Sequence, residues 1–233
     1  MVYQKFHYYR VAYIHFVTSD IFIFRVKPMD SKRVFSFQPG QYVEIVNPRA
    51  LSFYHHYFSV ASSPTSSEYL EFCIRVTGPW TLELAKIKKG EHLFISDPKG
   101  SFFLKEGIMK PAFLAGGVGV APFISMIRSI REQQLPIHGI LLYCARNSNN
   151  TPYADELAEI SKNRLRVVYV FEHEKGGNKS KSYHGLLTKD ILRKEIRLHT
   201  FPTFFISGPQ VFTRYASSLV SELGVREHYI RKE

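Results

Sequence analysis

Apolar and polar residues alternate along the first hundred residues in short runs rich in β-branched and aromatic side chains. Alternation with a period of two is typical of a strand that buries one face, and clusters of Gly, Pro, Asp and Ser between the runs mark turns. The pattern predicts six strands, at residues 8–17, 21–26, 42–46, 57–61, 69–76 and 92–95. Strands at this spacing are typical of an antiparallel barrel or sandwich. A short helix is predicted at residues 82–87, with Thr81 as its N-cap.

After about residue 108 the pattern changes to alternating strands and helices. Apolar runs predict strands at residues 112–115, 139–144, 165–171 and 203–207, and helical spacing predicts helices at 122–131, 153–161, 187–193 and 210–223. Such alternation predicts a parallel sheet with helices on both faces. We therefore expect a six-stranded antiparallel β-barrel domain in residues 1–108 and an α/β nucleotide-binding domain in residues 109–233. The polar residues 174–182 predict an exposed loop.

A glycine-rich turn joins the first predicted strand of the second half to its first helix. It reads Gly116-Gly117-Val118-Gly119 and is followed by Pro122, which an early helical position tolerates. Glycines let the chain turn sharply and let a phosphate approach the backbone, and the helix N-terminus favours a diphosphate. By itself, the same turn could also be only a tight connection.

The ends of two later strands meet the same edge of the predicted sheet. Between residues 144 and 153 there is no acidic residue, and Arg146 is the only charge. A cation at this place favours a ribose 2′-phosphate, so Arg146 favours NADPH unless it is simply a solvated surface residue. Ser207, Gly208 and Pro209 end the fourth strand and are expected at the mouth of the same cleft.

The composition narrows the classes of protein that fit this chain of 233 residues. Its formal net charge of +11 suits an acidic protein partner or an anionic membrane surface, but the cations are scattered and accompany no nucleic-acid motif. Cys73 and Cys144 are the only cysteines, which argues against a disulfide framework and an iron–sulfur cluster.

The sequence also predicts where the protein acts. No apolar run reaches the roughly 18 residues of a membrane-spanning helix, and the first residues lack the apolar centre of a signal peptide. The ten histidines form no metal-binding pattern. We expect a cytoplasmic protein with no transmembrane segment and no bound metal.

The segment at residues 56–64 resembles the flavin signature of the ferredoxin–NADP reductase superfamily, which reads Arg-x-Tyr-Ser-x-x-Ser in most members. Here His56, Phe58 and Ser59 stand at its first three defined positions. The His-x-Phe-Ser variant looks like the branch that contains ferric reductases and NADPH oxidases.

Other segments are similar to the same family in the same order. Residues 72–81 match that branch's Ile-Arg followed by Gly-x-Trp-Thr, and further matches stand at residues 37–42, 97–102, 115–122, 155–157 and 207–209. No single motif decides the resemblance, but the ordered set covers nearly the whole chain.

The resemblance implies bound FAD and a nicotinamide nucleotide, NADPH or NADH. Phe58 would lie against the flavin ring, because an aromatic face stacks well on a flat ring system. Arg75 would pair with the FAD diphosphate, and Thr81 at the helix start would add contacts to it. His56 replaces an arginine, and a neutral imidazole would hold a phosphate less strongly. From the residues alone, Phe58 and Trp80 could instead be barrel core.

The resemblance and the loop patterns together assign two groups of residues. Those assigned to cofactor binding are His56, Tyr57, Phe58, Ser59, Ile74, Arg75, Val76, Gly78, Trp80, Thr81, Gly116, Gly117, Val118, Gly119, Pro122, Arg146, Ser207, Gly208 and Pro209. Those assigned to catalysis are Ser59, which resembles the residue beside the flavin N5, together with Ser207 and Glu233.

Three positions depart from the family pattern. Ser207 stands where many members carry cysteine, and Ala121 where threonine is common. Glu233 aligns with a family glutamate, but the aromatic residue that often follows is missing. We therefore expect the flavin face to be more open than usual, or covered by another chain.

The expected function is flavin-dependent electron transfer. Hydride would pass from NAD(P)H to FAD, and electrons would pass on to a separate acceptor: an acidic ferredoxin or flavodoxin, a ferric chelate, free flavin or a membrane haem protein. The alternative is a non-catalytic FAD-binding electron-relay or regulatory subunit, which Ser207 and the missing aromatic residue keep open.

Overall fold

The computed structural model describes residues 5–50, 55–105, 107–160, 165–174, 182–200 and 202–233. Its first half is an antiparallel sheet of six strands in the order β4-β3-β6-β1-β2-β5. The strands are β1 (Phe6–Thr18), β2 (Ile21–Pro28), β3 (Tyr42–Val46), β4 (Tyr57–Ser59), β5 (Leu70–Arg75) and β6 (His92–Ser96). The predicted six-stranded antiparallel architecture is confirmed.

The alternating pattern determines which side chains fill this sheet. In β1, Tyr9 and Val11 are buried while their neighbours Tyr8 and Arg10 are exposed, as a period of two requires. The two edge strands are brought together where the N–H of Ala61, just after β4, donates to the carbonyl of Glu71 in β5 at 2.8 Å. This bond draws the edges of the sheet into a barrel.

The short helix α1 (Pro79–Ala85) begins earlier than the sequence predicts. Its N-cap is Gly78, in an extended conformation, and Pro79 follows as a residue suited to the first helical position. The prediction of Thr81 as the N-cap was wrong. Thr81 lies at the third helical position, where its hydroxyl accepts from the backbone N–H groups of Thr77 (2.9 Å) and Gly78 (3.1 Å).

The second half is a parallel sheet of six strands in the order β10-β9-β8-β7-β11-β12. The strands are β7 (Pro111–Gly116), β8 (Gly139–Ala145), β9 (Leu165–Phe171), β10 (Ser182–His184), β11 (Thr203–Ser207) and β12 (Ile230–Lys232). The helices are α2 (Ala121–Glu132), α3 (Ala154–Ile160), α4 (Lys189–Glu195) and α5 (Gln210–Glu222). Single 3₁₀ turns lie at Gly117–Val120, Ser148–Asn150, Leu198–Thr200 and Glu227–Tyr229.

The helices cover both faces of this sheet, as predicted. Residues of α2 and α3 pack with Phe113 and Leu141 on one face. Residues of α4 and α5 pack with Leu114 and Leu142 on the other. Consecutive strand residues therefore point into two separate cores.

Some elements differ from the sequence prediction. Strands β10 and β12 are three residues each and were not predicted, because their short polar sequences carry no periodic signal. Helix α3 begins after Tyr153, whose φ of 64° is not helical. Helix α4 begins at Lys189, after the N-cap Thr188, instead of at residue 187. Most of the predicted loop at 174–182 and residue 161 of the third predicted helix lie outside the described residues.

The two sheets meet through a continuous apolar contact. Gly40, with a φ of 103°, leads into β3, and a Cβ there would lie 2.2 Å from the Phe102 carbonyl and 2.3 Å from Met126 of α2. The turn before β3 therefore packs directly on the second half. Ser96 ends the first sheet and Pro111 begins the second, so the domain boundary near residue 108 stays a prediction.

None of the helices in the described part of the chain has the length and apolar character that crossing a lipid bilayer requires.

Candidate functional site

The three predicted catalytic residues lie together between the barrel and the parallel sheet. Glu233 accepts a hydrogen bond from the Ser207 hydroxyl at 2.5 Å through Oε2, and one from the Ser59 hydroxyl through Oε1. Ser59 ends β4 of the barrel, and Ser207 ends β11 of the parallel sheet. One carboxylate therefore joins the two halves of the molecule.

The unpredicted strand β12 places Glu233 at this point. Ile230 and Lys232 pair with Phe204 and Ile206 of β11, and the Glu233 N–H donates to the Ile206 carbonyl at 3.1 Å. Desolvation in the cleft raises the pKa of the Glu233 carboxyl above its ordinary value, and the bonds from Ser207 and Ser59 oppose that rise. Proton uptake by Glu233 therefore occurs at higher pH than for a carboxyl in water.

The glycine loop and the Ser207 loop touch through their backbones. A Cβ on Gly119 would lie 2.5 Å from the Cα and N of Gly208 and from the Ser207 carbonyl, and one on Gly116 would lie 2.6 Å from the Phe212 ring. Close packing therefore explains two of the three loop glycines, without any ligand.

Gly117 differs from its neighbours. Its φ is 55°, and a Cβ there would make only an ordinary contact, with the Arg75 Nη1 at 3.7 Å. Together with Gly116 it lines a cleft at the edge of the sheet. Val118 packs against the core, and Pro122 is buried in the first turn of α2.

Four of the nucleotide-side residues predicted from the sequence line this cleft, namely Gly116, Gly117, Arg146 and Pro209, whereas Ser207 does not. Its lining is Arg75, Gly116, Gly117, Cys144, Ala145, Arg146, Val170, Glu172, Gly185, Leu186, Leu187, Pro209, Phe212 and Tyr215. Gly208 lies beside it, against Gly116 and Phe212. Glu172 is a residue of this cleft that sequence reasoning missed. It directly follows β9, and its N–H donates to the carbonyl of Ala145, so an acid stands beside Arg146 after all.

Arg75 reaches this cleft from the barrel. It ends β5, its Nε lies 3.3 Å from an Asp20 carboxylate oxygen, and that buried Nε has no hydrogen-bond partner among the described residues. Its neighbours Ile74 and Val76 pack in and against the barrel core. The structure thus brings Arg75 to the glycine loop, across the junction of the halves.

Strand β4 and helix α1 hold the aromatic candidates. The Trp80 ring stacks on His56 with centroids 4.0 Å apart, and on Phe58 at 5.6 Å. Trp80 is buried in the barrel core, while Phe58 is only half-buried. Desolvation lowers the pKa of His56 below its ordinary 6.5, so the imidazole is neutral at pH 7.

Tyr57 lies on the opposite side of β4 from Phe58, as the alternation of a strand requires. It is 47% exposed, packs edge-on to Tyr42 at 5.5 Å, and has the Lys99 ammonium 5.4 Å from its ring centre. The two faces of β4 therefore offer one half-buried and one exposed aromatic ring beside Ser59.

Two family models match the chain, one in each half. Residues 6–93 match the FAD-binding domain, and residues 113–218 match the oxidoreductase NAD-binding domain. The first match covers the barrel with β4 and Arg75, and the second covers the glycine loop and Ser207. The chain thus combines a domain for each of the two cofactors.

Several known proteins are similar to this chain over much of its length. The reductase component of propane 2-monooxygenase from Mycolicibacterium goodii is 34% identical over 149 residues, which are 62% of this chain and 42% of that protein. The flavohemoprotein of Bacillus subtilis is 28% identical over 224 residues, which are 93% of this chain and 56% of that protein. The chain spans about half the length of the curated relatives it matches.

A solved structure confirms the fold. The ferredoxin NADP+ reductase from Neisseria gonorrhoeae, crystallised with FAD and NADP, superposes with a TM-score of 0.82 over 98% of both chains, at 19% sequence identity. A parallel sheet packed on an antiparallel barrel is therefore the arrangement of both molecules.

Proposed function

We propose that this chain, an oxidoreductase that belongs to the ferredoxin–NADP reductase superfamily, transfers hydride from NAD(P)H to FAD and passes the electrons to a separate acceptor. The observation that carries this proposal is the Glu233 bridge between Ser59 and Ser207. It marks the point where the FAD-binding and NAD-binding halves meet. The known chemistry of the bound pair is hydride uptake by the flavin, followed by release of single electrons.

The residues around the rear cleft fit a nucleotide diphosphate. Gly117 leaves space at the backbone, and the Arg75 guanidinium stands beside it, with Nη1 as the atom nearest the loop and Nε turned toward Asp20. An anion at Gly117 would accept a hydrogen bond from Nη1. We therefore propose that Arg75 serves the nicotinamide nucleotide, beside or instead of the FAD diphosphate that the sequence predicts.

The barrel edge fits a flat ring system. We propose that Phe58 packs against the flavin, that His56 and Tyr57 line its approach, and that the Gly78 and Thr81 backbone lies near its diphosphate. His56 is neutral at pH 7 and would contribute a hydrogen bond, not a charge. Ser59 and Ser207 would orient the reacting rings, and Glu233 would hold both serines in place.

The reductase proposal is tested by reducing the flavin anaerobically. The purified chain is reconstituted with FAD and titrated with NADH and, separately, NADPH, while the visible absorption of oxidised flavin is followed. We expect stoichiometric bleaching. A yellow protein that neither nucleotide bleaches would support the non-catalytic relay, and a colourless protein that refuses FAD would overturn both functions.

The same reduced preparation tests the acceptor. We propose a separate acidic carrier protein, since a net charge of +11 steers acidic partners and one relative is the reductase component of a larger enzyme. Oxidation by an acidic ferredoxin or flavodoxin should then slow steeply as ionic strength rises. Rapid, salt-independent oxidation by ferric chelate or free flavin instead would contradict a protein acceptor.

The choice between NADH and NADPH as hydride donor should depend on the pair Arg146 and Glu172. An acid here accepts from a ribose 2′-hydroxyl and repels a 2′-phosphate, while a cation attracts the phosphate. Because both line the cleft, we propose that they offset each other and that the chain uses NADH and NADPH with similar efficiency. Glu172→Gln should then raise the kcat/KM ratio in favour of NADPH by about fivefold, and Arg146→Ala should lower it by a similar factor.

The matched control is Glu159→Gln, which removes one negative charge from an exposed position of α3 outside the cleft. It should leave the ratio unchanged. If Glu172→Gln and Glu159→Gln behave alike, net charge sets donor choice and the paired site is wrong.

A further inference from the structure

Helix α2 carries a polar stripe into an apolar junction. Ser125, Arg128, Ser129 and Glu132 are spaced three and four residues apart, so they share one face of the helix. Ser125 is fully buried and Arg128 is 8% exposed. Burying an arginine is costly unless its donors are satisfied, so its contacts show what holds it there.

Arg128 bonds to both halves of the molecule. Its Nη1 donates to the Ala61 carbonyl at 3.0 Å and to Glu71 Oε1 at 2.7 Å, both in the barrel. Its Nε and Nη2 donate to the two carboxylate oxygens of Glu156 in α3, at 2.8 and 2.7 Å. The second oxygen of Glu71 accepts from Arg25 at 2.6 Å, so two cations and two anions balance.

The bonded groups lie close to the reacting parts in sequence. Ala61 is two residues beyond Ser59, and α2 starts directly after the glycine loop. Arg128 stands six residues beyond Pro122, about 9 Å along the helix. Its guanidinium thus ties the strand that ends at Ser59 to the helix that begins at the glycine loop.

Neighbouring turns of α2 hold the same segment of the barrel. The Ser125 hydroxyl donates to the Ser62 carbonyl at 2.7 Å, and Glu132 accepts from the Thr65 hydroxyl. The segment at residues 61–65 is therefore bonded along the length of the helix. The apolar residues around it would allow the two surfaces to slide, whereas forked hydrogen bonds fix one register.

We propose that Arg128 is a positioning residue that sets the approach of the nicotinamide half to the flavin half. This rests on the function proposed above. Removing the forked hydrogen bonds of its guanidinium would leave both cofactors bound but would misplace the nicotinamide and flavin rings. A misplacement of about 1 Å can slow a reaction about 100-fold. The buried ion pairs of Arg128 with Glu71 and Glu156 therefore act by fixing the geometry of the two halves, since burying charge gives little net stability.

The test uses Arg128→Lys and Arg128→Met, with Arg131→Met on an exposed part of the same helix as the control. Stopped-flow reduction by saturating NADH should slow about tenfold for the lysine variant and about 100-fold for methionine, with the nicotinamide–flavin charge-transfer absorbance reduced in step. FAD content, the Kd for NADH and the rate of reduction by dithionite should stay unchanged, because none of these requires the two rings to meet. The control should match the wild type throughout.

The outcomes separate this inference from the proposed function. If NADH does not reduce the wild-type flavin, the proposed function fails. If the wild type is reduced and Arg128→Met is reduced equally fast with FAD bound, only the positioning role fails. Should Arg128→Met not fold, Arg128→Lys and Glu156→Gln carry the test. If Arg128→Lys and Glu156→Gln both reduce their flavin at the wild-type rate, or lose thermal stability without slower flavin reduction, the inference is overturned.

Discussion

Gly119→Val is expected to weaken binding of the nicotinamide nucleotide severely while leaving FAD bound. A Cβ at this position would lie 2.5 Å from the Gly208 Cα and N and from the Ser207 carbonyl. All three are backbone atoms, so no side chain can rotate away and the Ser207 loop must move. We expect the Kd for NADH, measured from the absorbance change on titration, to rise at least about 100-fold.

Gly117→Ala is the matched control in the same loop. Its Cβ would make only an ordinary contact, with the Arg75 Nη1 at 3.7 Å, so the positive φ is what opposes it, at a cost of about 1–2 kcal/mol. We expect it to weaken NADH binding by about 10-fold, well short of the Gly119 variant. Equal effects of the two substitutions would show that loop flexibility, and not contact between the two loops, is what the glycines provide.

The contrast between these two glycines shows how much of the site can be predicted from the sequence. Strands, a strand–loop–helix connection and their order are local features, and the periodic pattern predicts them. The glycine loop was accordingly found in the sequence, with Ser207 placed near it. That Gly119 packs on Gly208 while Gly117 faces the cleft depends on the distance between two loops, which no local pattern encodes.

The missed residues have the same explanation. Glu172 lies beside Arg146 because β9 pairs with β8, although the two residues are 26 positions apart. The apolar spacing of α2 predicts its helix but not the buried role of Arg128, because the helix packs against a sheet and a barrel at once. Such contacts arise from the assembled fold. The assignment to the ferric reductase and NADPH oxidase branch, which rests on His56, Phe58 and residues 72–81, stays a prediction.

Replacing Glu233 by alanine should slow flavin reduction about 100-fold and leave the Kd for NADH nearly unchanged. Its carboxylate is the group that holds both Ser59 and Ser207, and none of these three residues lines the nucleotide cleft around Gly117. Without the carboxylate, both hydroxyls lose the acceptor that orients them. The limiting rate in stopped flow and the Kd from equilibrium titration separate the two effects.

Glu233→Gln adds a test by pH. Desolvation raises the pKa of the Glu233 carboxyl above its ordinary value of 4.5, so the wild-type side chain stays protonated up to a higher pH than a carboxyl in water. As pH falls through that raised value, one serine loses its acceptor, so the wild-type rate should fall while the glutamine variant stays flat.

The free energy of unfolding should change with pH in the direction opposite to the rate. A raised folded-state pKa means that the neutral carboxyl favours the fold, so its contribution is fully present below the ordinary pKa and is lost as pH rises through the raised one. The free energy of unfolding of the wild type, relative to Glu233→Gln, should therefore decline over the same range in which its activity increases. A flat wild-type rate profile across that range, or an equally steep one in the glutamine variant, would show that Glu233 does not control the reaction through its charge.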